Sequence, residues 1–155
     1  MELKTKVIAE SGKQDLVITR EFELPVELLF RAFEEPDLIA QWMGTKVLKF
    51  EAKEHSGYRY ETMDNKGNVA FLANGVIHEF SRNRKITRTF EMENTPFGVQ
   101  LEILEFLRIT DNTSQLNMHT IYESVEQRDQ VLKLPFAWGI SMAHNRLEEI
   151  MKKQK

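Results

Sequence analysis

Two opposite charges stand on strand-like runs that are otherwise apolar on one side. Arg88 shares the even positions of run 85–94 with Ile86, Phe90 and Met92. Glu105 shares the odd positions of run 99–110 with Val99, Leu101, Ile103, Leu107 and Ile109. If Thr95 to Gly98 is a four-residue loop, Phe90 falls opposite Ile103 and Arg88 opposite Glu105. Two charges on an apolar face are costly unless they pair. Such a pair would orient the polar end of a ligand inside an apolar cavity. An ion pair that only satisfies itself is the plainer reading and carries more weight.

The same count extends to the neighbouring runs. Through Asp111 to Ser114 it puts Glu105 opposite Thr120 and Leu107 opposite Met118. Through Ser81 to Arg84 it puts Ile77 beside Arg88 and Gly75 beside Phe90. Through Asn65 to Asn68 it brings Tyr58, Tyr60 and Thr62 to the same face. A slip of one residue would reverse every facing. Tyr58 and Tyr60 offer an apolar ring with one hydrogen-bonding tip, useful against a ligand and equally useful in a core. Gly75 in mid-strand leaves room for a pocket or a bend. Near the C-terminus, Phe136, Ile140, Ala143, Leu147 and Ile150 recur at helical spacing and read first as core. Trp138, Met142 and Asn145 flank that stripe, and methionine suits permissive binding surfaces.

Other chemistries find no support in the sequence. His55, His78, His119 and His144 are scattered and make no metal-ligand spacing, so no metal is expected. No phosphate-binding glycine loop or nucleophile elbow is present, and no cofactor is expected. The chain has no Cys, hence no disulfide framework or thiolate nucleophile.

The elements that must position these residues follow from pattern and punctuation. Leu16 to Leu24 reads as a strand stopped by Pro25, which suits the first turn of a helix. Leu28, Leu29, Ala32 and Phe33 continue that helix. Pro36 ends it and starts a second helix carrying Leu38, Ile39 and Trp42, with Gly44 as the stop. Strand-like runs follow at about 46–53, 57–63, 69–80, 85–94, 99–110 and 115–124. Their short connections make neighbours antiparallel. Gln127 to Lys133 reads as a short helix or turn, and Pro135 to Lys153 as one long amphipathic helix. Residues 1–14 form an arm or an edge strand, and 15–155 one domain. The class is α+β, an antiparallel sheet gripping a long C-terminal helix, and that arrangement implies a pocket.

The composition fits one globular domain. The 155 residues are 41% hydrophobic and 10% aromatic, enough for a real core. A net charge of −3 gives no reason to expect nucleic acid. No apolar run is long enough for a membrane span, and Met1 to Gln14 lack a signal-peptide core. The expected location is cytoplasmic. Composition leaves a homodimer open.

The run Ile18-Thr19-Arg20-Glu21-Phe22, with Pro25, Phe30-Arg31-Ala32, Pro36, Leu38 and Trp42, resembles the opening of the activator-of-Hsp90-ATPase domain family. That family belongs to the START-like (SRPBCC, Bet v 1-like) helix-grip superfamily. Tyr58-Arg59-Tyr60, Gly75-Val76-Ile77-His78-Glu79, Ser124 to Asp129 and Asn145 to Glu149 resemble its bacterial branch. Near Pro135 to Gly139, Ala137 and Trp138 replace the charged pair that branch usually carries, which implies a more apolar pocket if that pair touches ligand. The eukaryotic co-chaperone has a separate chaperone-binding domain for which this chain has no room, so a chaperone partner is not expected. The resemblance implies binding of a hydrophobic or aromatic small molecule. One alternative is a cyclase- or hydrolase-type enzyme with Glu105 as base and Arg88 or a tyrosine as electrostatic stabiliser. Another is a protein-interaction module. An enzyme is the less expected outcome.

Overall fold

In a computed structural model describing residues 3–154, the chain forms one eight-stranded antiparallel sheet and four helices. In chain order these are β1 (Lys6–Ile8), β2 (Asp15–Phe22), α1 (Val26–Glu34), α2 (Pro36–Met43), β3 (Lys46–Lys49), β4 (Ser56–Met63), β5 (Val69–Ser81), β6 (Lys85–Met92), β7 (Val99–Arg108), β8 (Ser114–Ile121), α3 (Val125–Leu132) and α4 (Phe136–Lys152). The strand order is β1-β2-β8-β7-β6-β5-β4-β3. The molecule is an α+β helix grip, with α4 lying in the hand of the sheet. No helix among the described residues is long and apolar enough to cross a membrane.

Local chemistry sets the helix ends. Pro25 stands one place before α1, as its N-cap, and its carbonyl accepts from the Leu28 and Leu29 amides. Pro36 opens α2, where a missing N–H is harmless. Gly44 closes α2 in the left-handed region at φ 64°, which glycine adopts without a Cβ penalty. Strict alternation buries every second residue of β2 and β8. Against that face pack Leu29, Phe30 and Phe33 of α1, and Leu147 and Met151 of α4. Phe106 meets Phe30 and Phe33 edge-on at 4.9 and 5.3 Å. The Trp42 indole donates to the Ala32 carbonyl at 2.8 Å, and Arg146 of α4 donates to the Trp42 carbonyl at 3.1 Å. These bonds tie α1, α2 and α4 into one layer.

The register corrects one expectation. Ile77 pairs with Arg88, as the count predicted, and Tyr58 pairs with Gly75. Arg88, however, pairs with Glu102 and not with Glu105; Phe90 pairs with Gln100 and not with Ile103. The connection is longer than four residues. Strand β6 stops at Met92, whose carbonyl accepts from the Thr95 hydroxyl, and the chain turns through Asn94 (φ 61°) and Gly98 (φ 73°). That slips the pairing by three, an odd number, so β7 is turned over. Glu102, Leu104 and Phe106 face inward, and Leu101, Glu105 and Leu107 face out. The turn after β7 is misjudged by the same amount. Thr120 pairs with Glu102 and Met118 with Leu104, so both still point inward.

Candidate functional site

One row of cross-strand partners organises the inner face. Ile77, Arg88, Glu102, Thr120 and Leu16 lie side by side on β5, β6, β7, β8 and β2. Three polar side chains therefore sit in mid-sheet on a face that is otherwise apolar. Arg88 Nε donates to Glu102 Oε1 at 2.8 Å, and Gln100 Nε2 donates to Glu102 Oε2 at 2.6 Å. The carboxylate is thus held on both oxygens, as a buried charge requires. Burial works against the Arg88 charge, but Glu102 and the two tyrosines outweigh it and hold the guanidinium more firmly protonated.

Behind Arg88 stand the tyrosines. The Arg88 guanidinium lies 5.5 Å from the Tyr58 ring centre, and the Tyr58 and Tyr60 rings are 5.1 Å apart. Burial pushes the Tyr58 phenol up, so it stays protonated. Its hydroxyl donates to the Thr89 carbonyl. That bond explains Gly75. A Cβ at position 75 would stand 2.0 Å from the Thr89 oxygen and 2.5 Å from the Tyr58 hydroxyl. The room left by Gly75 on the inner face is filled by Tyr58, and Gly75 is not among the lining of the inner cavity described next.

Between this face and α4 lies a cavity of about 220 Å³. Its floor includes Arg88, Phe90, Glu102, Met118 and Thr120; Phe136, Ile140, Ala143 and His144 of α4 roof it; Phe33, Trp42 and Met43 close one side. The lining is mostly apolar with a few convergent polar groups, the usual make-up of a small-molecule site. Thr120 is 1% exposed, and its hydroxyl oxygen has no hydrogen-bond partner among the described residues. Larger depressions lie on the outside, rimmed by charged side chains, and are more open.

A second polar cluster ties α4 to the first two strands. His144 is buried at 2% exposure, and its Nδ1 is 2.8 Å from the Thr5 hydroxyl. Arg20 Nη1 donates to Asn145 Oδ1 at 2.7 Å and to Thr5 Oγ1 at 3.3 Å. Glu148 accepts from the Glu23 amide at 2.9 Å and lies 3.8 Å from Arg20. Burial, then the Arg20 charge, pushes His144 down to about 3. Its ring is neutral at physiological pH.

Of the residues named from sequence, Arg88, Phe90 and Thr120 line the cavity. Tyr58 and Tyr60 support Arg88 from the core. Glu105 faces solvent in a groove with Arg84 and Lys85. Trp138 is 60% exposed, and Met142 is half-buried outside the lining. Glu102, Gln100 and His144 were missed. His144 was within reach: it lies four residues after Ile140 and three before Leu147, on the apolar stripe. Among the described residues no three His, Asp or Glu side chains gather as a metal site.

The fold recurs in solved bacterial structures. A Rhodobacter sphaeroides protein superimposes with a TM-score of 0.85 at 19% identity, over 96% of this chain and 99% of that one. A Mycobacterium smegmatis protein gives 0.83 at 20% identity, over 94% and 95%. An Arthrobacter aurescens protein gives 0.84 at 13% identity, over 96% and 91%. At such identities the likeness is one of fold. No curated protein matches the sequence. Residues 23–152, from the end of β2 through α4, match the family described as Activator of Hsp90 ATPase homolog 1-like protein, and the chain belongs to that family.

Proposed function

We propose that this helix-grip domain binds a small, largely apolar or aromatic molecule in the cavity between the sheet and α4. The observation that carries the reading is a mostly apolar cavity with a few polar side chains, Arg88, Gln100, Glu102 and Thr120, among its lining. The volume bounds the ligand. An engineered cavity of about 150 Å³ in another protein accepts benzene, so about 220 Å³ suits one ring with a short substituent. The enzyme reading built on Glu105 and Arg88 loses its geometry, since the two face opposite sides of the sheet. The remaining carboxylate, Glu102, is tied by Arg88 and Gln100.

The test is native mass spectrometry of the purified protein, with solvent extraction of whatever it carries. A reproducible small aromatic adduct, lost when Ala143→Phe fills the cavity, is the expected result. An adduct that survives Ala143→Phe in a folded variant contradicts the assignment to this cavity.

A further inference from the structure

His144 lines the cavity, yet its hydrogen bonding is set from the N-terminal strand. Thr5, just before β1, has one hydroxyl hydrogen. Its oxygen already accepts from Arg20 Nη1. If His144 Nδ1 also donated to that oxygen, the Thr5 hydrogen would be buried without an acceptor. The satisfied arrangement has Thr5 donating to a bare Nδ1, which puts the ring proton on Nε2. That Nε2–H has no protein partner among the described residues.

The cavity lining then includes the His144 ring, whose Nε2–H is left to bond a ligand acceptor. Its charges are already balanced. Arg88 is paired with Glu102, and on the other side Arg20 is neutralised by Glu148. A ligand bringing its own charge would find no free counter-charge in a low-dielectric site.

We infer that His144, with its proton fixed on Nε2 by the Thr5 hydroxyl, donates a hydrogen bond to the ligand, and that the cavity selects uncharged molecules carrying a carbonyl-type acceptor beside an apolar ring. This rests on the ligand-binding reading above. Thr5 is a positioning residue: it touches no ligand and acts by setting the tautomer. Sequence neighbours of Thr5 belong to an edge strand, so the strand at the sheet margin also sets the chemistry of the roof.

The experiment has two arms on the full chain. Long-range proton–nitrogen spectra of ¹⁵N-histidine-labelled protein read the His144 tautomer without any ligand. The Nε2–H pattern is expected in the wild type and in Thr5→Ser, which keeps a hydroxyl, and is expected to be lost in Thr5→Val. An Nδ1–H pattern in the wild type overturns the inference and leaves the ligand-binding reading untouched. Calorimetric titration then compares four probes of one shape: acetophenone, cumene, benzoate and 1-phenylethylamine. Acetophenone is expected to bind about tenfold more tightly than cumene, the worth of one net hydrogen bond. The two charged probes are expected to bind more weakly than acetophenone. In Thr5→Val the preference for acetophenone over cumene is expected to fall to near one, and in Thr5→Ser to return. Equal binding of acetophenone and cumene, or a preference for a charged probe, overturns the inference. Failure of all four probes to bind overturns the ligand-binding reading and the inference with it.

Discussion

Arg88 and Glu102 form the kind of pair that is dangerous to halve. Both are buried, and each satisfies the other directly. Glu102→Gln leaves a buried guanidinium without its counter-charge, and is expected to cost about 3–5 kcal/mol in urea denaturation. Replacing both partners, Arg88→Met with Glu102→Leu, is expected to recover most of that loss, because an apolar pair needs no compensation. Glu105→Gln on the outer face is expected to stay within about 0.5 kcal/mol. A loss at Glu105 as large as that at Glu102 would contradict the register. His144 gives a second residue-scale expectation. Its folded value, about 3, lies well below its unfolded value of about 6.5. Below pH 6.5 the unfolded chain therefore binds a proton that the native state refuses. Stability is present in full above pH 6.5 and falls as pH drops, by about 1.4 kcal/mol per unit, until the native ring titrates. Stability measured between pH 7 and 5 should show this slope in the wild type and not in His144→Asn. Equal slopes would contradict a buried neutral histidine.

At the scale of elements, the strand pairing depends on one close approach. Tyr58 crosses beneath Gly75 to reach the Thr89 carbonyl, and even a methyl group at 75 would clash with both. Gly75→Ala is expected to lower stability by about 1–3 kcal/mol, the usual range for overpacking, with a lower Tm by calorimetry. An unchanged Tm would mean that β4, β5 and β6 do not approach as described. The elements themselves were mostly legible. Pro25, Pro36 and Gly44 mark α1 and α2 because proline and glycine act locally, through a missing N–H and a missing Cβ. The facing of β7 was not legible, and the cause is specific. Its odd positions hold Val99, Leu101, Ile103 and Leu107, with Ile109 just beyond its end, while its inward positions hold Gln100, Glu102, Leu104 and Phe106. Alternation points to the apolar side as the core, yet Val99, Leu101, Leu107 and Ile109 are exposed. The candidate site inherits this error. Arg88, Phe90 and Thr120 line the cavity, but the acid that pairs with Arg88 stands on the other face of β7 from Glu105. The loop length that decides it depends on positive φ at Asn94, a conformation a short polar residue permits without announcing it.

For the whole molecule, the sheet supplies a polar row, α4 supplies a roof with one imidazole, and α1 and α2 close the side. The lining comes from elements far apart in sequence, so the pocket exists only when the grip is closed. Binding should accordingly stabilise the folded chain. The central claim is that this space takes a ring-sized apolar molecule. Its most direct test is a crystal structure of the protein soaked in iodobenzene, with anomalous diffraction to locate the iodine. The account predicts an iodine peak inside the cavity, between Phe90 and Met118 of the sheet and Ile140 of α4. Iodine confined to the outer surface, with side chains collapsed into the space beneath α4, would contradict it.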